Sequence, residues 1–342
     1  MAKDRIIISF NNASRVFYPG QIVEVNVQLT VVESLKMREA NQLEDIILLK
    51  GVYNYPFKFQ LPLNIPSSYE SFNGRVGYAV IVAVDNPWPF GLETMGHFTV
   101  VSLLDLNKLP NVANGGTVED EKTLCCLCCK SGPIRAMLST DRLGYVPGEA
   151  IKFRAVITNL SNRQMECSKA QLIMKVHYHA GDETNTVMHV LSALKRPPIP
   201  AGATDYWSGY KLHVPPVPPS FLLGCKIIDI HYYIMIIVDP SGPSFDLNVP
   251  MEVTIGSIPL QTVAQMYGIP SAEDVHGVVG HGMLPPCEQF PDNIPKPVMA
   301  KRVIGGVNVN AVHPESSHYF APVYPYYNWE KPDPNVTFQR AK

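Results

Sequence analysis

Three clusters of side chains have types and spacings that could do chemistry. The first is Cys125-Cys126-Leu127-Cys128-Cys129. Zinc takes four ligands in a tetrahedron, usually as two separated pairs. Five consecutive residues do not readily wrap one ion, and in a strand alternate side chains point apart. Adjacent cysteines near a membrane are also acceptors for S-acylation, which makes Cys125, Cys126, Cys128 and Cys129 candidate lipidation sites. The plain alternative is buried or half-buried thiols between a linker and a first strand. The second cluster is His177-Tyr178-His179, with two imidazoles on one side of a strand. That is half a metal site. No matching Cys or carboxylate pattern completes it, so an exposed strand face is the simpler reading. The third is Ala321-Pro322-Val323-Tyr324. A polyproline-like stretch fits an aromatic groove at low entropic cost, and a following Tyr fills a second pocket. Pro322, Val323 and Tyr324 are thus candidate partner contacts. The competing reading is that Tyr319 to Tyr327 packs back on a sheet edge.

Signatures of catalysis are absent. The chain has no Gly-x-Ser-x-Gly elbow, no phosphate loop and no His-Glu-x-x-His. Carboxylate pairs such as Glu44-Asp45 and Glu119-Asp120 sit in charged stretches, where solvation explains them. The reading is of a non-enzyme with no cofactor and no metal.

The elements that must position these residues are announced by a pattern that occurs twice. Phe17-Tyr18-Pro19-Gly20-Gln21 precedes Ile22 to Leu29, and Gly144-Tyr145-Val146-Pro147-Gly148-Glu149 precedes Ala150 to Asn159. Pro pre-sets one dihedral of a tight turn and Gly accepts the positive φ that follows. After each turn apolar and polar residues alternate: Val23, Val25, Val27 and Leu29 in the first copy, Ile151, Phe153, Ala155 and Ile157 in the second. Period two means half-buried strands. Two copies imply two similar β-domains in tandem.

Composition is compatible with that. The chain has 342 residues, 31 Pro and 23 Gly, enough for two or three turn-rich domains. A formal charge of −2 provides no strong field for nucleic acid or an anionic membrane. The apolar run Tyr232 to Val238 is too short to span a bilayer and reads as a strand buried on both faces. The first residues do not resemble a signal peptide or a myristoylation site. Seven cysteines without framework spacing suit a reducing compartment. A soluble, intracellular protein is expected.

Along the chain, strand signals cover Tyr55 to Pro62, Gly77 to Val84 (ended by Asp85-Asn86-Pro87-Trp88-Pro89) and His97 to Leu104. Between Val32 and Lys50 the pattern is interrupted, and Leu35, Ala40 and Leu43 suggest a short helix. Residues 109–123 read as a linker. Strands then recur from 124 to 260, with a Pro-rich bend at Val214 to Pro219. Beyond Leu260 the periodicity fades, and 261–342 reads as a largely disordered Pro-rich tail with aromatic clusters.

With these pieces in place the chain resembles the arrestin family, specifically the arrestin domain-containing proteins (α-arrestins). The matching stretches include Tyr18-Pro19-Gly20, Tyr55 to Pro62, Pro66 to Phe72 and Gly77-Tyr78-Ala79-Val80. Further along they include Glu121 to Cys126, Ser131-Gly132-Pro133-Ile134, Gly144 to Glu149, Trp207-Ser208-Gly209, Val214 to Ser220 and Ile255 to Leu260. The resemblance implies an all-β fold of two tandem arrestin-like β-sandwiches, residues 5–108 and 124–260. It also implies an adaptor linking cytoplasmic parts of transmembrane receptors or transporters to ubiquitination and endocytic machinery. Recruitment to plasma membrane and endosomes would then come through partners, not by nucleic-acid or direct membrane binding. Two departures stand out. Val32 to Lys50 is short for the family, so either the first sandwich lacks part of one sheet or the chain is a shortened isoform. The family's tails often carry Pro-Pro-x-Tyr, a ligand for WW domains of HECT-type ubiquitin ligases, and here Ala321 replaces the first Pro. A retromer-type sorting scaffold, which shares the tandem sandwich but recruits no ligase, is the alternative reading.

Overall fold

The structure, a computed structural model, describes residues 4–38, 45–84, 92–126, 129–266, 298–301, 320–327 and 329. The chain forms two compact units, the first built mainly from residues up to 102 and the second from 103 onward. Both are β-sandwiches, the architecture that the family resemblance implied, and they repeat as the twofold pattern implied.

The first unit contains β1 (Arg5–Phe10), β2 (Val16–Phe17), β3 (Ile22–Val31), β4 (Leu35–Arg38), β5 (Asp45–Leu48), β6 (Gly51–Gln60), β7 (Tyr69–Glu70), β8 (Arg75–Val76), β9 (Tyr78–Val84) and β10 (Leu92–Val100). One sheet runs β1-β3-β6 and the other β2-β10-β9. Alternation along β3 aims Val23, Val25, Val27, Leu29 and Val31 into the core, where they meet Phe17, Phe98 and Val100. Directly opposed residues of an antiparallel pair share a face. Tyr53, Tyr55, Phe57 and Phe59 oppose Leu29, Val27, Val25 and Val23, so they face the same side. Yet Tyr55 is 45% and Phe57 41% exposed, because among the described residues both β6 and β9 end their sheets. The short helix expected around Leu35 is instead a β-hairpin of β4 and β5, with Leu35 opposite Leu48. Ala40 and Leu43 lie outside the described residues, as does Asp85-Asn86-Pro87-Trp88-Pro89.

The second unit contains β11 (Gly116–Cys126), β12 (Cys129–Thr140), β13 (Gly144–Tyr145), β14 (Ala150–Asn159), β15 (Met165–Ala180), β16 (Glu183–Arg196), β17 (Thr204–Trp207), β18 (Lys211–His213), β19 (Ile228–Pro240), β20 (Leu247–Ile255) and α1 (Gln261–Met266). To it also belong β21 (Val298–Lys301) and β22 (Val323–Tyr326). One sheet runs β11-β12-β14-β17, with β18 also on β14; the other runs β13-β20-β19-β15-β16. Residues 116–123, read as linker from their charge, are therefore strand. They form the sheet's outer strand, where Glu119 and Glu121 meet Arg135 on the exposed face. Charge there is what an edge strand carries to discourage further pairing. β19 is buried on one face by Tyr232, Ile234, Ile236 and Val238, all at 0% exposure. Tyr233, Met235 and Ile237 are only half-buried, so the expectation of two fully buried faces is corrected.

The duplication extends to hydrogen bonds. Gly20 and Gly148 both have positive φ, 86° and 99°. In each turn the side chain after Gly accepts from the backbone three residues back: Tyr18 N–H donates to Gln21 Oε1 (3.0 Å), and Val146 N–H to Glu149 Oε2 (2.8 Å). Each short strand before the turn pairs parallel with the end of a long one, β2 with β10 and β13 with β20. The same ends donate to a serine hydroxyl: Val100 N–H to Ser68 Oγ (3.0 Å), Ile255 N–H to Ser220 Oγ (2.9 Å).

Candidate partner-binding site

The Pro-x-Tyr segment is not an open coil. β22 pairs antiparallel with β21, placing Tyr324 opposite Ala300 and Val323 opposite Lys301. Tyr324 is 0% and Tyr327 1% exposed, and Pro322 and Pro325 are buried as well. The expectation of a largely disordered tail is thus corrected for residues 261–266, 298–301 and 320–327. Large aromatic side chains removed from water contribute about 1.5–3 kcal/mol each, which offsets part of the cost of ordering a short strand at about 1–2 kcal/mol per residue. The rest of the tail, Tyr319 included and Trp329 excepted, lies outside the described residues. Phe320, which itself belongs to the first unit, stacks on His97 within that unit at 5.2 Å.

The second unit holds the segment at the repeated Pro-Gly turn. Tyr327 N–H donates to the Pro147 carbonyl (3.0 Å), and its phenol donates to the Ser257 carbonyl (2.6 Å). The Trp329 ring stacks on Tyr327 at 5.4 Å. Glycine at 148 is required twice over: its φ is left-handed, and an added Cβ would lie 1.9 Å from the Tyr327 carbonyl oxygen. The turn itself is stiff. Glu149, 4% exposed, accepts from both Arg142 terminal nitrogens (3.0 and 3.2 Å) and from Val146 N–H. Burial pushes the Glu149 carboxyl up, against the pull of Arg142 and the Val146 N–H. Arg142 also lies over the Tyr145 ring at 4.3 Å, and burial followed by the nearby Asp141 charge pushes that phenol up.

The two histidines of the second cluster are joined by a third that the sequence did not indicate. His177 and His179 rings lie 6.4 Å apart on β15, and His231 on β19 lies 5.9 Å from His177. Only the register, with Lys175 opposite His231, brings them together. Each ring has at least one nitrogen engaged: His177 Nδ1 with Thr186 (2.9 Å), His179 with Thr184 and Asp229 (2.9 Å each), and His231 Nδ1 with Glu252 (2.8 Å). Among the described residues no group of three metal-ligating side chains is placed to hold an ion. Burial, followed by the charges of Lys175, His231 and His179, lowers the His177 pKa.

Of the cysteine cluster, Cys126 and Cys129 are cross-strand partners at the end of the β11–β12 hairpin, and Cys125 opposes Lys130. Cys128 and the side chains of 125–130 lie outside the described residues. A groove of about 640 Å³ is lined by Lys152, Arg154 and Lys211 together with Asp141, Phe153 and Tyr210. Lys152 and Lys211 stand directly opposite each other. Trp207, beside that groove, is structural. Its Nε1–H donates to Ser168 Oγ (3.2 Å), and Arg196 lies over the ring at 5.5 Å while donating to Asp205.

Comparison with known proteins adds two family matches and three relatives. The family described as Arrestin (or S-antigen), N-terminal domain, matches residues 35–107, and Arrestin (or S-antigen), C-terminal domain, matches 130–260. The chain is 29% identical to Arrestin domain-containing protein 17 of Caenorhabditis elegans over 263 residues, 75% of this chain and 58% of that protein. It is 33% identical to Arrestin domain-containing protein 4 of Homo sapiens over 227 residues, 66% of this chain and 53% of that protein. Thioredoxin-interacting protein of Sus scrofa is 29% identical over 213 residues, covering 61% and 54%. The chain thus spans a little over half the length of the curated relatives it matches.

Proposed function

Since the chain belongs to the arrestin domain-containing proteins, we propose that it is a non-enzymatic adaptor that joins cytoplasmic parts of membrane proteins to ubiquitin-ligase and endocytic machinery. The observation that carries the reading is the pairing of two rigid sandwiches with a short Pro-x-Tyr segment beyond them. The sandwiches supply surface for cargo, and the Pro-x-Tyr segment supplies a short linear ligand once it is released from its strand pairing. No helix among the described residues is long and apolar enough to cross a membrane, so on this reading the chain reaches membranes through its cargo. Pro322, Val323 and Tyr324 are the residues offered to a WW domain of a HECT-type ligase, with Ala321 leaving one ring's worth of contact unfilled. Cys125, Cys126, Cys128 and Cys129 are the residues a lipid would modify if the platform is also held at a membrane directly.

The test is a titration of a peptide spanning residues 313–332 against a panel of WW domains, beside its Tyr324→Ala counterpart. Binding at about 10 to 100 μM, near the weak end for short linear ligands, and lost on substitution, supports the ligase arm. Absence of binding by both peptides removes that arm and leaves a scaffold that holds cargo or coat subunits alone.

A further inference from the structure

We propose that the Pro147–Gly148 turn and the Ser257 carbonyl form a docking site for a tyrosine-bearing strand, occupied by the chain's own Val323–Tyr327, and that docking and WW recognition compete for the same residues. The proposal rests on the ligase-adaptor reading for its consequence, but the docking site stands on geometry alone. Tyr327 is the anchor, since both its backbone and its phenol bond to the second unit, at 3.0 and 2.6 Å. Three residues earlier Tyr324 is wholly inside the protein. A WW groove needs that ring and the Pro322 face exposed and the backbone extended without strand partners. Val323 and Tyr324 are instead paired with β21. One conformation cannot serve both receptors. Because the Tyr327 carbonyl oxygen approaches within 1.9 Å of where a Cβ would sit, the site also reads residue 148: it accepts the strand only against glycine. Pro147 and Ser257 take part through backbone carbonyls, so the site selects for a donor at the strand's end, which a tyrosine offers and a phenylalanine does not.

The affinity of a ligand whose competent state is only partly populated falls by that fraction. The intact chain is therefore expected to bind a responsive WW domain about tenfold or more weakly than the free 313–332 peptide does. Tyr327→Ala in the intact chain restores binding to within about twofold of the peptide. The same substitution in the peptide is silent, because Tyr327 lies outside the Pro322–Tyr324 ligand. Equal affinity of the wild-type chain and the peptide overturns the competition. Amide hydrogen exchange on the intact chain tests the docking site without any WW domain. Slow exchange over 323–327 in the wild type, made fast by Tyr327→Ala and less so by Tyr327→Phe, supports it. Fast exchange in the wild type overturns it. If no peptide binds any WW domain but exchange behaves as expected, the ligase reading fails while the docking site stands.

Discussion

Asn159 concentrates more bonding than any catalytic residue would need. It is fully buried, and its amide donates to the carbonyls of Arg163 (2.8 Å) and Pro200 (2.9 Å) while its oxygen accepts from the backbone and hydroxyl of Ser161. Leaving those buried partners unpaired costs about 1–3 kcal/mol. Asn159→Ala is therefore expected to lower the unfolding free energy by about 2–3 kcal/mol in a urea titration. His177 carries a different liability. Its pKa is lowered from the ordinary 6.5, first by burial and then by Lys175, His231 and His179, with Asp229 acting the other way. Between the lowered folded value and 6.5 the unfolded chain binds more protons than the folded one, so stability falls as pH drops through that window. Replacing His177 with Gln removes part of that loss. The melting temperature of the variant at pH 5.5 should lie closer to its value at pH 7.5 than the wild type's does.

At the scale of elements, alternation is the quantity that decides. β19 predicts two outcomes from neighbouring residues. Ile234→Ala empties a site at 0% exposure and should cost about 3–4 kcal/mol, whereas Met235→Ala, on the half-covered face, should cost about 1 kcal/mol. Thermal unfolding of the two variants side by side checks this. The long strands β3 and β14 were legible in the sequence because each extends over ten residues with one face apolar, whereas β19 was legible as a strand from its continuous apolar run, which overstated the burial of its second face. β4 and β5 have four residues each, too few to show a period, and Leu35 with Ala40 and Leu43 imitated a helix face. β11 was hidden by its own charges, since an outer strand places Glu119, Glu121 and Lys122 where a loop would. His177 and His179 were legible as a pair because they are two residues apart, but His231 reaches them only through register. The docked tail was legible only as one of two readings of its aromatic cluster, and the groups that hold it were not. Nothing local to Tyr327 announces a carbonyl acceptor contributed by Pro147, although its cluster of tyrosines hinted that something must be buried.

For the whole molecule, the two sandwiches share a plan down to matching turn and serine hydrogen bonds but are not equally enclosed. In the first, the inward side of β6 leaves Tyr55 and Phe57 in water at the end of a three-stranded sheet. A ten-residue outer strand with an aromatic face invites a second chain to continue the sheet. Two residues in its middle speak against that. Pro56 has no N–H to offer a newcomer, and Lys58 brings a charge that a stacked copy would repeat. Together they act as a solubility guard for the whole protein. The double substitution Pro56→Val and Lys58→Val should leave the fold of the first unit unchanged by circular dichroism. Its concentrated solutions should nevertheless scatter light within hours while the wild type's remain clear. On this view the amount of the protein a cell can hold in usable form depends on a missing N–H and a single charge on one outer strand as well as on the stability of the sandwiches.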